Sequence, residues 1–476
     1  MSFQANPIKF GTDGWRGVIA ADFTFERVSK LAPLCAQVLQ ESNPHSNLII
    51  VGFDRRFMAE DFALMVAQTL QEYGFDVLLS EGYAPTPAFS WTAKAENALG
   101  ALVLTASHNP AKYLGLKVKG GFGGSVGEDV TEKIESRLDT IPKISDQKGT
   151  LTLFDPWASY CQQLRSLVNI DLIKSSIESG KLKIIADVMH GAASTGLSRL
   201  LDCDIQEINA DRDPLFGGGA PEPLPRYIPD LFRKVKETAK THPDSLRIGL
   251  VFDGDCDRIA SVDGQGNFCS TQILIPILIE HLATRRKLKG EIVKTVSGSD
   301  LIPKIAKLFD VPLFETPIGY KYIAERMLTS QVLVGGEESG GVGYSSHIPE
   351  RDALLSALYV LEAMVESGKD ISELYTNLQQ QVNFDSGYDR IDITLANLDH
   401  KNQLQKKLET TPLTEIAGKK VVSCLAIDGY KYRLEDDSWL LIRFSGTEPL
   451  LRLYSEAPNL KIVQENLAWA KQWANG

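Results

Sequence analysis

Three carboxylates alternate in "DGDCDR": Asp253, Asp255 and Asp257, directly after the apolar run "IGLVF". In an extended strand they would project to one side and repel one another. A bound cation removes that cost, and hard oxygen ligands at close quarters suit Mg²⁺ or Ca²⁺. An EF-hand loop is excluded, because it would need Gly where Arg258 stands and Glu where Gly264 stands. Arg258, beside the acids, is suited to hold a carboxylate or reach a substrate phosphate.

Two further stretches offer polar groups for a ligand. "RFSGTEP", Arg443 to Pro449, combines a guanidinium, the hydroxyls of Ser445 and Thr447 and the approachable amide of Gly446, the donors that wrap a phosphate. "GGEESGG", Gly335 to Gly341, presents Glu337, Glu338 and Ser339 between glycines, in a form suited to vicinal sugar hydroxyls or to an exposed loop.

"TASHNP", Thr105 to Pro110, sets Ser107 beside His108 and raises a hydrolase reading. No acid is placed by spacing to orient His108, so a triad gains no support. "GGSVG" at 123–127 matches the GxSxG pattern formally, but no strand is expected before it and it reads as a mobile glycine loop. Gly-Lys at 180, 368 and 418 is never followed by Ser or Thr, so the Walker pattern is absent.

These groups need a scaffold, and the chain supplies α/β texture. Apolar runs at 47–53, 101–106, 182–187, 246–253 and 290–296 read as buried strands, each followed by a loop and a helix-like segment; Met58 to Tyr73 is one such helix. The last segment differs: "YDRIDITL", "KKVVSCLAIDG" and "DSWLLIRF" read as antiparallel strands closed by the amphipathic helix "NLKIVQENLAWAKQWA". Boundaries in 141–150, near the hairpin at 260–268 and after Gln381 divide the 476 residues into four segments of ordinary domain size.

Composition excludes several classes. Hydrophobic residues at 43% and charged residues at 23% are those of a globular chain, and a net charge of -11 argues against a broad nucleic-acid surface. The six cysteines form no CxxC pair, so neither a zinc site nor a disulfide framework is indicated and a reducing cytoplasm is expected. The start "MSFQANPIKF" lacks signal-peptide character and no apolar run could span a bilayer, so neither secretion nor a membrane partner is expected.

Taken in order, "FGTDGWRG" at 10–17, "TASHNP", "DGDCDR", "GEESG" and "RFSGTEP" resemble the α-D-phosphohexomutase superfamily, which includes phosphoglucomutase, phosphomannomutase and phosphoglucosamine mutase. The resemblance spans essentially the whole chain. It implies four domains around a central cleft: 1–152 with the phosphoserine loop, 153–261 with the metal loop, 262–378 with the sugar loop, and a smaller antiparallel α+β domain at 379–476 with the phosphate loop. The first three would be α/β with mixed sheets.

By the same resemblance, Ser107 is a phosphoryl carrier and joins Asp253, Asp255 and Asp257 in binding Mg²⁺. Phospho-Ser107 would convert hexose 1-phosphate and hexose 6-phosphate into each other through a hexose 1,6-bisphosphate, with glucose ahead of mannose. Arg16, Lys117 and Arg258 would hold or screen the transferring group, and His108 would lie beside it. Lys117 would also handle protons if neighbouring cations depress its pKa. Glu337 and Ser339 would grip sugar hydroxyls, with Gly319 and Lys321 of "TPIGYKYI" in support, while Arg443, Ser445, Gly446 and Thr447 would take the remote phosphate. Lys321 reads equally as a solvated charge at a helix start.

Three departures from the family pattern stand out. Cys256 replaces a glycine between the metal aspartates, Leu114 replaces an asparagine near Lys117, and Gly341 stands where some phosphomannomutases carry a histidine proposed to move protons. Glu338 leans the sugar loop toward glucose over glucosamine. The partners implied are small phosphosugars, with the chain a monomer or homodimer. Two rivals remain at this stage: a hexose-1,6-bisphosphate synthase of the same fold using a bisphosphate donor, and a non-catalytic sugar-phosphate sensor.

Overall fold

The computed structural model describes residues 5–11, 13–140, 142, 144–445 and 449–475. Its first sheet comprises β1 (Trp15–Val18), β2 (Leu48–Phe53), β3 (Asp76–Ser80), β4 (Gly100–Leu104), β5 (Tyr113–Gly120) and β6 (Leu151–Phe154), in the order β1-β5-β4-β2-β3-β6. The second holds β7 (Leu182–Asp187), β8 (Gln206–Ile208), β9 (Leu246–Phe252), β10 (Ile259–Val262) and β11 (Phe268–Cys269), ordered β11-β10-β9-β7-β8. The third is β12 (Glu291–Thr295), β13 (Leu313–Thr316), β14 (Val332–Gly336) and β15 (Val342–Gly343), ordered β13-β12-β14-β15. All three mix parallel and antiparallel pairs, as expected.

The fourth sheet is antiparallel throughout. It orders β16 (Gly387–Thr394), β17 (Glu415–Ile416), β18 (Lys419–Leu425), β19 (Tyr430–Leu434), β20 (Trp439–Phe444) and β21 (Leu450–Ala457) as β16-β21-β20-β19-β18-β17, backed by the helix Leu460–Asn475. No helix among the described residues is long and apolar enough to cross a membrane.

The expected apolar runs become β2, β4, β7, β9 and β12, with side chains buried on both faces of each sheet because helices cover both sides. One expectation fails. After β9 the chain does not enter a helix but turns through residues 253–258 and returns as antiparallel β10. The aspartates therefore converge on a loop rather than along a strand, and Cys256 takes a left-handed φ of 57° to make the turn.

The first unit has a core of its own around Leu31, Val51 and Leu116, and a further apolar core crosses the first three units, running from Phe89 and Val103 through Leu197 and Leu250 to Leu274. At its centre lies the helix Ala353–Ser367, buried over most of its length and capped by Asp352, whose carboxylate accepts from the Leu355 N–H at 2.9 Å. The fourth unit has its own core around Leu440, Ile442, Leu453 and Leu467. It meets the third through a small patch at Val296, Trp439, Leu441 and Tyr454, together with buried polar pairs. Lys431 Nζ reaches Asp300 Oδ1 at 3.0 Å and the Val296 carbonyl at 3.0 Å, and Arg433 also pairs with Asp300. Burial disfavours the Asp300 carboxylate, but Lys431, Lys294 and Arg433 outweigh it and hold its pKa down at about 2.

Two predictions follow from these contacts. At Cys256, glycine removes the left-handed penalty of about 1 kcal/mol and forfeits a buried thiol worth a similar amount. Cys256→Gly should therefore melt close to wild type, whereas Cys256→Val, β-branched at positive φ, should lose about 2 kcal/mol or more. Asp300→Asn leaves Lys431 buried without its carboxylate and should cost about 3 kcal/mol at neutral pH in denaturant titrations. Because the folded pKa lies below the unfolded value, that difference is complete above the ordinary carboxylate range and should vanish as pH falls through about 2.

Candidate active site

Ser107 sits just past β4 with φ of 51° and is 1% exposed. Its loop is held from below by Arg56, whose Nη2 donates to the carbonyls of Ser107 at 2.5 Å and Asn109 at 2.7 Å. The same guanidinium reaches the Pro110 and Tyr113 carbonyls from Nη1. Ser107 Oγ donates to Asp253 Oδ2 at 2.8 Å and lies 3.3 Å from His108 Nδ1. No carboxylate is hydrogen-bonded to His108 among the described residues. Burial, then Arg258 and Arg16, hold the imidazole pKa far below its ordinary value, so His108 is neutral.

Asp253, Asp255 and Asp257 are buried, and each offers an oxygen within 4.8 Å of the others. Asp253 Oδ1 accepts the backbone N–H groups of Asp257 and Arg258, both at 3.0 Å. Asp255 Oδ2 takes Lys117 Nζ at 2.7 Å and the Thr86 hydroxyl at 2.5 Å. Asp257 Oδ2 takes Lys117 Nζ at 2.8 Å and Arg351 Nη2 at 2.7 Å. Asp255 Oδ1 and Asp257 Oδ1 are buried without a hydrogen-bond partner among the described residues. Buried carboxylates with orphaned oxygens fit a hard divalent cation, which would supply the missing partner.

The charges around this cluster cross domain boundaries. Asp13 Oδ2 takes Lys117 Nζ at 2.7 Å and Arg351 Nη2 at 2.8 Å, while Asp13 Oδ1 takes Lys119 Nζ at 2.5 Å. Lys119 also reaches Glu350 at 2.6 Å. Gly14, at φ of 127°, permits the approach: a Cβ there would lie 2.4 Å from the Leu116 carbonyl oxygen and 2.8 Å from Lys117 Cα. Burial raises the pKa of Asp253, reinforced by Asp257 and Asp255. For Asp255, burial is outweighed by Lys117, and for Asp257 by Arg351 and Lys117, so both stay below the ordinary carboxylate value.

The "GEESG" segment and the start of "RFSGTEP" are tied to this centre by hydrogen bonds. The Ile259 N–H donates to the Gly340 carbonyl at 3.0 Å, joining the metal loop to the sugar loop. Glu337 is buried, its Oε1 accepting the Gly319 N–H at 3.0 Å. Burial and then Glu338 push its pKa up to about 7. Ser339 is half-buried. Arg443 Nε lies 3.0 Å from both oxygens of Asp428, and Asp428 Oδ2 accepts the Ile318 N–H at 3.0 Å, which ties the phosphate loop to the Gly319 turn. The Ser445 carbonyl accepts from Lys401 Nζ at 3.0 Å. Gly446 and Thr447 lie outside the described residues.

Several expectations are corrected. Lys117 is surrounded by carboxylates rather than cations; burial pulls its pKa down, but Asp13, Asp255 and Asp257 outweigh that and hold it above its ordinary value. Lys321, expected beside the sugar, pairs with Glu128 and lies over the Tyr322 ring. A strand does precede "GGSVG": β5 ends at Gly120. Ser125 bonds Lys119, Asp13 and Glu350 instead of a histidine, and Gly123 and Gly124 are buried against Ile348 and Pro349, so the segment is not a free loop. Gly335 and Gly336 belong to β14 rather than to an exposed loop. Leu114 is buried in the first unit's core. Arg16 is held by Asn109 Oδ1, and Arg258 Nε is buried 3.9 Å from Asp257 Oδ1 without a hydrogen-bond partner among the described residues.

Sequence reading missed Asp13, Arg56, Thr86, Glu350 and Arg351. Their signals were present but generic: a basic pair directly after β2 in "FDRR", and three charges ahead of an apolar helix in "ERD".

Comparison with known proteins places each unit. Profiles of the phosphoglucomutase/phosphomannomutase α/β/α domains I, II and III match residues 7–145, 158–266 and 271–382, and that of the C-terminal domain matches 396–467. A phosphoglucomutase/phosphomannomutase of Thermococcus kodakarensis is 29% identical, with 96% of each chain covered. A phosphoglucosamine mutase of Limosilactobacillus reuteri is also 29% identical, over 96% of this chain and 95% of that one. A crystal structure from Thermus thermophilus, provisionally named a phosphomannomutase, superposes with a TM-score of 0.85 at 30% identity, covering 99% of this chain and 100% of that one. With all four domains matched in order around the buried aspartates, the chain belongs to the phosphoglucomutase/phosphomannomutase family of phosphohexomutases.

Proposed function

We propose that this protein interconverts hexose 1-phosphate and hexose 6-phosphate through phospho-Ser107, with glucose as the first substrate and mannose the second. The observation that carries the reading is the buried contact of Ser107 Oγ with Asp253 beside the orphaned oxygens of Asp255 and Asp257. Mg²⁺ held by those aspartates, together with an oxygen on Ser107, would neutralise charge on the phosphoryl group.

Phospho-Ser107 gives its phosphoryl group to a sugar hydroxyl: the P–Oγ bond breaks, a P–O bond to the sugar forms, and the hydroxyl proton leaves. That proton passes to a phosphoryl oxygen or to water; burial with Arg258 and Arg16 disfavours a protonated His108, so the imidazole, 3.3 Å from Ser107 Oγ, orients the serine rather than taking the proton. The hexose 1,6-bisphosphate then reverses in the cleft and returns its other phosphoryl group to Ser107 Oγ, while the released sugar oxygen regains a proton. Lys117, bonded to Asp13, Asp255 and Asp257, supplies a positive charge beside the transferring group in this scheme.

Arg258 and Arg16 screen the transferring group. Glu337 and Ser339 hold the sugar hydroxyls, and Arg443, Ser445, Gly446 and Thr447 take the phosphate that is not reacting. Glu338 engages Ser297 Oγ at 2.6 Å, so its influence on the choice of hexose acts through the loop's shape. The unpaired cysteines fit a reducing cytoplasm.

Ser107→Ala should lower turnover of glucose 1-phosphate on the order of 10⁴-fold or more while leaving the melting temperature close to wild type. Near-normal turnover would remove Ser107 from the mechanism. Arg443→Ala should act mainly on binding, raising KM for the hexose phosphate about 10- to 100-fold with a smaller change in kcat. A coupled assay that detects glucose 6-phosphate separates the two effects, and net accumulation of glucose 1,6-bisphosphate matching donor consumption would replace the mutase reading with a synthase.

A further inference from the structure

Gly341 and Arg351 form one packing unit. A Cβ at Gly341 would lie 2.4 Å from Arg351 Cδ and 2.9 Å from Cγ, so any side chain there displaces the arginine. Arg351 thus occupies the space that a residue at 341 would claim. Its side chain is 9% exposed and lies over the Tyr320 ring at 5.3 Å. A single nitrogen, Nη2, bridges Asp13 Oδ2 at 2.8 Å in the first unit and Asp257 Oδ2 at 2.7 Å in the second.

The bridge bears on how Asp257 is presented. Its Oδ2 is anchored by both Arg351 and Lys117, while Oδ1, 3.9 Å from Arg258 Nε, is left without a hydrogen-bond partner among the described residues. Lys117 already meets Asp13, Asp255 and Asp257, so its three protons are committed and cannot replace the guanidinium. We propose that Arg351 is a positioning residue: it fixes the Asp257 carboxylate with Oδ1 turned to the cation, and Gly341 is glycine to admit it. The inference deepens the phosphohexomutase reading and relies on it only for the cation's role in turnover.

The test is Mn²⁺ binding to the purified full-length chain, followed by electron paramagnetic resonance, with glucose 1-phosphate turnover measured on the same samples. By charge alone, removing a cation beside three carboxylates tightens a dication; lost ligand geometry weakens it. Arg351→Met should weaken Mn²⁺ about 10- to 100-fold, with Arg351→Lys intermediate. Gly341→Ala should lose a similar factor, and the double variant should be no worse than Arg351→Met, because both changes evict the same guanidinium. If Arg351→Met does not fold, Gly341→Ala and Arg351→Lys still decide the matter. Unchanged or tighter Mn²⁺ binding in the folded variants, or additive losses in the double variant, would overturn the proposal. A wild type that binds Mn²⁺ yet converts no hexose phosphate would instead sink the functional reading and leave the role of Arg351 standing.

Discussion

The ammonium group of Lys117 is the constraint on which the rest of the site depends. It is buried on β5 and shared by Asp13, Asp255 and Asp257 at 2.7 to 2.8 Å. A charge removed from water this completely persists only if every proton has an acceptor. Lys117 therefore locks the strand that follows the serine loop to the loop that carries the metal ligands. Asp13, Asp253, Asp255, Asp257 and Glu350 share Lys117, Lys119, Arg351 and Arg258, and the oxygens of Asp255 and Asp257 left without hydrogen-bond partners among the described residues are what a divalent cation would take up.

Apolar contacts are distributed unevenly among the four units. One core runs through the first three units, beside a second core internal to the first, and these units carry the loops of Ser107, the aspartate triplet and Glu337. The fourth is separately cored and joined through a small patch and a few buried ion pairs. Its phosphate loop reaches the sugar loop through Asp428, which binds both Arg443 and the Ile318 amide. Ser107 thus sits on the units joined by a common core, while Arg443 sits on the unit joined through the small patch.

Much of this was legible in the residues. Continuous apolar runs announced β2, β4, β7, β9 and β12, and alternating residues announced the antiparallel fourth sheet. The aspartate triplet is a local pattern whose repulsion is visible without coordinates. What stayed hidden was non-local. Asp13 and Arg351 meet across 338 positions of sequence, and nothing in "TDG" or "ERD" tells which charges will face one another. The direction of the Lys117 pKa is non-local for the same reason, since its sign depends on whether folding delivers cations or carboxylates, and here it delivers carboxylates. The glycine loop after β5 shows the reverse failure: a formal motif match whose serine serves a charge network.

The central claim is that Ser107 carries the phosphoryl group between substrate molecules. The most direct measurement treats the protein with glucose 1,6-bisphosphate, maps phosphate by peptide mass spectrometry, and then adds unlabelled glucose 6-phosphate. The account predicts one phosphoryl group, confined to Ser107 and discharged by the sugar phosphate. A chain that stays unmodified, carries phosphate on another residue, or keeps it in the presence of the acceptor would contradict it.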